Sequence, residues 1–296
     1  MGTGYPLIMK DYRPLAEEFD GAVYVWDIDK TYLATHFSSL RGLARIPIEF
    51  AVDKGAIPGM PEILRGLRKG PGSKFACAPL YFVTASPPQL RKVLEQRMLL
   101  DGVEFDGITF KDWLRTIREW RPGRLREQAG FKICALIAGR IHRPAAREYL
   151  FGDDTEADAE AFHLYAGLLH GELAGGEAEQ AMEAAGVKKD DRRAVFSLLD
   201  RLPKTRGTVE RIFIHLAAGT APEAFERYGG LVVPVRDALQ LGLVLFASGL
   251  VDGDTVRRCR KTLFPGSAQR DKLHAQVADA VERDLIPVRK ARSLKL

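Results

Sequence analysis

Short apolar runs alternate with longer amphipathic segments along this chain. The runs are rich in β-branched and aromatic residues and end in polar or turn-forming residues, which is typical of buried parallel strands. The predicted strands cover residues 22–26, 79–83, 107–110, 147–151, 209–216 and 231–235. Helical segments separate most of these runs, and such alternation predicts an α/β fold, a three-layer α/β/α sandwich with a mostly parallel, doubly wound sheet.

The helical signals divide the chain into two parts. Residues 1–235 are predicted to form one α/β domain that carries a helical insertion at about 171–206. Beyond residue 235 the pattern turns helical, and residues 236–296 are predicted to form a helical C-terminal extension packed on the core. The basic stretch VRKARSLKL at 288–296 is predicted to be a frayed tail.

The first predicted strand ends in two carboxylates. Asp27 and Asp29 follow the apolar run directly in an Asp-x-Asp-x-Thr pattern that ends at Thr31. Burying carboxylates is costly unless a cation or a reacting group meets them. Because the carboxyl ends of strands are where open α/β sheets bind ligands, the pair is a candidate site. The alternative is a solvated turn after a strand.

Polar residues also follow the second predicted strand. Thr84 and Ser86 lie at its end, before a predicted helix that opens at Pro87-Pro88 and whose free N–H groups favour an anion. A simple N-cap role is the alternative for Ser86. Lys132 is predicted to begin a later helix, where a positive charge opposes the helix dipole, and this placement favours a functional role over an exposed lysine.

A third polar cluster follows the strand at 147–151. It reads Gly-Asp-Asp-Thr-Glu-Ala-Asp, with carboxylates at Asp153, Asp154 and Asp158. A merely acidic helix start is the alternative for the residues around Asp154, Glu156 among them. The six histidines show no metal-ligand spacing, although His36 lies just past the first motif.

The composition restricts the class of protein but does not indicate its function. The 296 residues are 46% hydrophobic and 28% charged, as in ordinary globular proteins. The net charge of +5 is a mild excess, compatible with an anionic substrate or surface. Three scattered cysteines, no signal peptide and no apolar run of membrane-spanning length predict a soluble, cytoplasmic protein without a transmembrane segment.

Four motifs now stand in order along the chain: the Asp-x-Asp-x-Thr pattern at Asp27, then Thr84, then Lys132, and last the acidic cluster at Asp153. In this order they resemble the motifs of the haloacid dehalogenase superfamily of phosphohydrolases. Three segments further resemble the actin-patch-associated phosphatidate phosphatase catalytic-domain family. YFVTASPPQL resembles its Tyr-Val-Ser-Asn-Ser-Pro-Trp signature, FKDWL its Leu-Arg-Asp-Trp segment, and FGDDTEADAEAF its Gly-Asp-Ser-Gly-x-x-Asp-Pro-Glu-x-Tyr ending. The chain departs from the family at Pro88, which replaces Trp, at Asp154-Thr155, which replaces Ser-Gly, and at Ala159, which replaces Pro.

The resemblance implies a Mg²⁺-dependent phosphatase with a haloacid dehalogenase-like fold and a minimal cap. Asp27 would be the nucleophile that forms an aspartyl-phosphate, and Asp29 the general acid and then the general base. Thr84, Ser86 and Lys132 would bind the phosphoryl group. Thr31 is expected to brace the turn by bonding to the backbone.

The implied Mg²⁺ site uses oxygen ligands, as a hard cation requires. Its ligands would be the Asp27 carboxylate, the Asp29 backbone carbonyl and Asp153. Either Asp154 or Asp158 would complete or orient this shell, and the family pattern points to Asp158.

Three functions remain open from the sequence. The first is a phosphatase for phosphatidate or another bulky phosphomonoester at a membrane surface. An open active site without a large cap domain would suit such a substrate. The second is a nucleotide or polynucleotide phosphatase, motivated by the Arg-rich stretch at 111–126 with its two tryptophans. The third is a catalytically inactive binding module, which the intact set of charged residues disfavours.

Overall fold

The described residues fold into a sheet covered by helices on both faces. The computed structural model describes residues 5–34, 55–112, 128–203 and 207–296. The strands found there are β1 (Leu7–Asp11), β2 (Ala22–Asp27), β3 (Leu80–Thr84), β4 (Gly107–Lys111), β5 (Arg147–Asp153), β6 (Thr208–His215) and β7 (Val232–Val235). They form one seven-stranded sheet in the order β1-β4-β3-β2-β5-β6-β7. This architecture confirms the predicted α/β class and the mostly parallel sheet.

The helices of the described ranges connect these strands and extend beyond the last one. They are α1 (Met60–Lys69), α2 (Arg91–Leu100), α3 (Ala129–Ile141), α4 (Asp158–His170), α5 (Gly175–Ala184), α6 (Lys189–Leu199), α7 (Ala238–Ala247), α8 (Gly253–Leu263), α9 (Arg270–Glu282) and α10 (Val288–Ser293). A 3₁₀ turn at Pro88–Leu90 precedes α2, so that helix begins later than Pro88, where the sequence placed its start. None of the helices in these ranges is both long and apolar enough to cross a bilayer.

The order of the strands places a crevice at the centre of the sheet. From β2 the chain builds outward through β3 and β4 on one side, and from β5 through β6 and β7 on the other. All these neighbours are parallel, whereas β1 joins the β4 edge antiparallel and was not predicted. Since ligands bind where the strand order reverses, the carboxyl ends of β2 and β5 are the expected site.

The two faces of the sheet bury separate apolar layers, because successive side chains of each strand point to opposite faces. Trp26 and Tyr24 of β2 face the layer with α1, α2 and the C-terminal helices, whereas Val23 and Val25 face the layer with α3 to α6. Trp26 stacks on Phe151 with ring centroids 4.2 Å apart. Replacing this fully buried indole by Ala is expected to cost about 3–5 kcal/mol.

The C-terminal segment packs on the sheet and is ordered to its last turn. The prediction of a frayed tail at 288–296 was wrong, because residues 288–293 form α10 and Leu294, which follows the helix, is buried in the core. Pro287 precedes the first turn of α10 in an extended conformation. The basic side chains face outward while Leu294 packs inward, an amphipathic arrangement that a count of charges does not show.

Some predictions concern residues that the structure does not describe. His36 lies in the undescribed range 35–54, and most of the Arg/Trp stretch lies in 113–127. The two-part division at residue 235 and the minimal cap stay predictions.

Candidate active site

Three parallel strands bring the motif residues to one edge of the sheet. Asp27 is the last residue of β2, Thr84 of β3 and Asp153 of β5. The register pairs Asp27 with Val83 and Trp26 with Phe151, so that the three strand ends lie side by side. All three polar side chains are buried, and so are Asp29, Lys132 and Asp158.

A tight turn after β2 presents Asp29. Lys30 has a left-handed φ of 59°, which few residues other than Gly adopt, and its N–H donates to Leu33 O at 2.7 Å. His215 at the end of β6 places Nδ1 3.0 Å from Lys30 O, where Nδ1–H can donate. Thr31 Oγ1 donates to Asp27 Oδ2 at 3.5 Å, so the predicted bond from Thr31 to the backbone is corrected to one with the Asp27 carboxylate.

Two hydroxyls hold the Asp29 carboxylate. Ser86 Oγ donates to Asp29 Oδ2 at 3.0 Å, and Thr84 Oγ1 donates to the same oxygen at 3.2 Å. The Ser86 N–H donates in turn to Thr84 Oγ1 at 3.0 Å. A simple N-cap role for Ser86 was therefore the wrong alternative: Pro87 occupies the N-cap position of the 3₁₀ turn, and the Ser86 side chain points to Asp29.

Lys132 lies at the centre of the site. Its helix α3 begins at Ala129 rather than at Lys132, and the side chain is fully buried, which rules out an exposed lysine. The Nζ atom is 3.0 Å from Asp27 Oδ1 and 3.0 Å from Glu156 Oε2, and it donates to Asp158 Oδ1. One ammonium group thus joins three carboxylates from two parts of the chain, Asp27 at the end of β2 and the pair Glu156 and Asp158 after β5.

The loop after β5 orients Asp153 and Asp158 through local bonds. Asp153 Oδ1 accepts from the Thr155 N–H at 2.6 Å and from the Thr155 hydroxyl. Asp158 Oδ2 accepts from the Asp153 N–H at 3.1 Å. A Cβ at Gly152 would clash with Asp158 Oδ2 and lie 2.6 Å from Asp158 Cβ, so that only glycine permits this close approach.

Asp154 points away from this group. Its Oδ1 accepts from the Ala218 N–H at 2.6 Å and its Oδ2 from the Thr220 N–H at 3.0 Å. Both oxygens therefore fix the loop that follows β6. Of the two alternatives that the sequence left open, the structure brings Asp158, and not Asp154, against Asp27 and Lys132.

The site buries more carboxylates than cations, and this excess shifts the pKa values of its residues. Burial raises the pKa of Asp27 well above its ordinary value, against the opposing effect of Lys132. Burial and the nearby Glu156 charge raise the pKa of Asp29 to about 6, and burial raises that of Asp158 to about 7. Burial alone would lower the pKa of Lys132, but the carboxylates of Asp158, Asp27 and Glu156 together raise it well above its ordinary value.

The residues present fit a hard divalent cation. Oxygens of Asp27, Glu156 and Asp158 lie within 4.8 Å of one another, although Lys132 already neutralises part of their charge. Among the described residues, neither Asp29 Oδ1 nor Asp153 Oδ2 has a hydrogen-bond partner, and both oxygens are buried. An unpaired buried carboxylate oxygen is costly, and a cation with oxygen ligands would offset that cost at Asp153 Oδ2.

Sequence reasoning did not assign a role to three residues near this site. Glu156 reaches Lys132, and Gln128 Nε2 donates to Glu156 Oε1 at 2.7 Å. His215 supports the turn that carries Asp29. The position of His215 at the end of a predicted strand was a usable signal, because strand ends carry the other site residues. No comparable signal marked Gln128.

Fold and geometry together define a doubly wound α/β protein with a buried carboxylate–lysine site at the switch point of its sheet. The model of the family described as phosphatidate phosphatase APP1, catalytic domain, matches residues 22–171, just over half of the chain. The chain belongs to this family, which confirms the family resemblance inferred from the sequence. No curated protein and no solved structure matches the chain.

The matched range contains all the site residues predicted from the sequence. It ends before β6 and β7, which complete the sheet, and before the loop that Asp154 holds. Residues outside the match therefore support the site without supplying its predicted chemical groups.

Proposed function

We propose that this protein is a Mg²⁺-dependent phosphatase of the haloacid dehalogenase type that hydrolyses a phosphatidate-like phosphomonoester. The observation that carries the proposal is the buried pair of Asp27 and Lys132 at 3.0 Å, set at the strand end next to a carboxylate that two hydroxyls orient. The family match supports the phosphatase class and the lipid substrate.

Asp27 is the proposed nucleophile. Lys132 binds its Oδ1 and Thr31 its Oδ2, so that the carboxylate is held in one orientation at the strand end. The carboxylate attacks the phosphorus atom in line, a P–O bond forms to Asp27, and the P–O bond to the substrate alkoxide breaks. The product of this step is an aspartyl-phosphate.

Asp29 is the proposed general acid and base. Its Oδ2 is fixed by Thr84 and Ser86, which leaves Oδ1 for the proton that the departing alkoxide takes. The resulting carboxylate then removes a proton from the water that hydrolyses the aspartyl-phosphate, which restores both aspartates. In this arrangement the hydroxyls of Thr84 and Ser86 donate to Asp29, and each would bind the phosphoryl group by turning its one O–H from Asp29 to a phosphoryl oxygen.

The proposed Mg²⁺ ligands are Asp27, the Asp29 carbonyl and Asp153, whose Oδ2 is buried. Bound there, the ion would neutralise phosphoryl charge during transfer. We propose that Asp158 orients this shell, because it contacts Lys132 through one oxygen and the Asp153 N–H through the other.

The lipid substrate rests on the family and on charge. The family description names phosphatidate, and the chain carries a net charge of +5 that favours an anionic surface. The stretch that motivated a nucleic-acid substrate lies mostly in 113–127, so no described contact favours that alternative. It becomes an outcome of the test below.

The test is phosphate release from phosphatidate vesicles, p-nitrophenyl phosphate and an end-phosphorylated oligonucleotide, each with and without Mg²⁺. We expect Mg²⁺-dependent release that is highest on vesicles and that Asp27→Asn abolishes. Preference for the oligonucleotide would replace the lipid substrate, and activity that survives in Asp27→Asn would contradict the nucleophile. No release from any substrate would favour the binding module.

A further inference from the structure

We propose that the Glu156 carboxylate occupies, on Lys132, the position that a phosphoryl oxygen takes, so that phosphate binds by displacing Glu156. This inference rests on the proposed function, since it requires that phosphate binds at this site. It assigns to Glu156 a role of positioning Lys132 in the free enzyme and of setting the affinity for the anion.

Carboxylates surround the Lys132 ammonium group. Nζ donates hydrogen bonds to Glu156 Oε2 at 3.0 Å and to Asp158 Oδ1, and it forms an ion pair with Asp27 Oδ1 at 3.0 Å. Three carboxylate oxygens thus occupy the space around Nζ, and a phosphoryl oxygen takes a place at contact distance when one of these carboxylates moves away.

Glu156 is the carboxylate that can leave. Asp27 is anchored at the end of β2, and Asp158 is anchored in the first turn of α4 by a second bond from the Asp153 N–H. Both are sealed from solvent, whereas 9% of the Glu156 side chain is exposed. Glu156 also lies in the bend between β5 and α4, outside regular structure. An anion that arrives from solvent therefore meets Glu156 first.

We expect the displacement to be a rotation of the Glu156 side chain rather than a movement of its backbone. The backbone before Glu156 is held, because Asp154 accepts two backbone N–H bonds from the loop after β6 and Thr155 is bonded to Asp153. After Glu156, Ala157 O accepts from the Ala161 N–H in the first turn of α4. The bond that Gln128 Nε2 donates to Glu156 Oε1 at 2.7 Å keeps the carboxylate on Lys132 in the free protein. Glu156 thus balances the Lys132 charge until a substrate with more negative charge replaces it.

The experiment measures binding of inorganic phosphate by calorimetry to the full-length chain in Mg²⁺, with Glu156→Gln and Glu156→Ala as the variants. Removing the competing charge is expected to tighten phosphate binding about tenfold, because like charges at contact distance repel strongly in a buried site. Steady-state kinetics should show a matching fall in KM with kcat changed less. Glu160→Gln is the control, since Glu160 lies in α4 but binds Tyr228 instead of Lys132.

Unchanged or weaker phosphate binding in both Glu156 variants would overturn the inference. Weaker binding of Mg²⁺ in these variants would overturn it as well, because Glu156 would then be a metal ligand. The proposed function is tested separately by phosphate release: release by the wild type with no gain in phosphate affinity in the variants rejects the inference alone. Tighter phosphate binding without release from any substrate rejects the proposed function alone.

Discussion

A buried charge network at the amino ends of the strands offers the sharpest test of how the fold is held together. Glu148 of β5 accepts from Arg140 at 2.8 Å, from Tyr165 at 2.6 Å and from Arg143 at 3.3 Å. Arg140 also donates to Thr208 O at 3.0 Å. The network therefore joins α3 and α4 to β5 and β6, and Arg140 and Glu148 are both fully buried.

Glu148→Gln keeps the shape of the side chain but removes its charge, so that the Arg140 guanidinium stays buried without a counter-ion. Breaking a buried pair in this way is expected to lower the free energy of unfolding by about 3–5 kcal/mol. Tyr165→Phe removes the hydrogen bond to the same carboxylate and also the one that Arg140 Nε donates to the Tyr165 hydroxyl at 3.0 Å, and it is expected to cost about 1–3 kcal/mol. The comparison shows whether loss of the buried charge costs more stability than loss of neutral hydrogen bonds in the same network.

The assay is equilibrium unfolding in urea, with the free energy taken from the midpoint and slope of each transition. Glu104→Gln is the control, because its pair with Arg13 is exposed and is expected to contribute less than about 1 kcal/mol. A loss below about 1 kcal/mol for Glu148→Gln would refute the reasoning. Phosphate release per folded molecule should stay unchanged, since Glu148 lies at the opposite end of β5 from Asp153.

Three further predictions concern the site, the pH dependence of stability and the C-terminal helices. Gly152→Ala would place a Cβ 2.6 Å from Asp158 Cβ and is expected to lower kcat about tenfold, which steady-state kinetics would show; an unchanged kcat would contradict this placement. The pKa of Asp252 is about 2 in the folded protein, because the hydrogen bond from Lys69 lowers it more than burial raises it. The unfolded value is about 3.9, so the ionised Asp252 stabilises the fold. This stabilisation is complete above about pH 4 and is lost as the pH falls towards 2. Unfolding curves of Asp252→Asn should lack that part of the acid dependence, and a curve parallel to the wild type would contradict it. Deleting 236–296 removes α7, whose side chains are almost all buried against the sheet, and is expected to yield aggregated protein in size-exclusion chromatography; a folded monomer would instead make this segment a separable extension.

The sequence predicts the sheet and the edge at which the site lies, because both depend on local pattern. The runs that end at Asp27 and Asp153 carry their polar residues directly at the strand ends, and parallel strands align those ends. The order of the motifs along the chain also indicated the family. Neither prediction required knowledge of how side chains pack.

Contacts between side chains from different elements could not be predicted. The bond from Ser86 to Asp29 depends on the register of β2 against β3, and the contact of Glu156 with Lys132 depends on how α3 packs beside the loop after β5. The sequence predicted a frayed tail instead of the folded helix α10 for the same reason. Leu294 becomes buried only because the earlier C-terminal helices form the surface on which it packs.

The central claim is that Asp27 carries the phosphoryl group, and the most direct measurement is to trap it there. Asp29→Asn, incubated with Mg²⁺ and p-nitrophenyl phosphate, should accumulate the intermediate, because this leaving group departs without an acid while the hydrolysis step loses its base. After acid quenching, peptide mass spectrometry is predicted to find a hydroxylamine-sensitive phosphate on Asp27, and none in Asp27→Asn. Wild-type turnover with no label on Asp27 in Asp29→Asn, or turnover that persists in Asp27→Asn, would contradict the account.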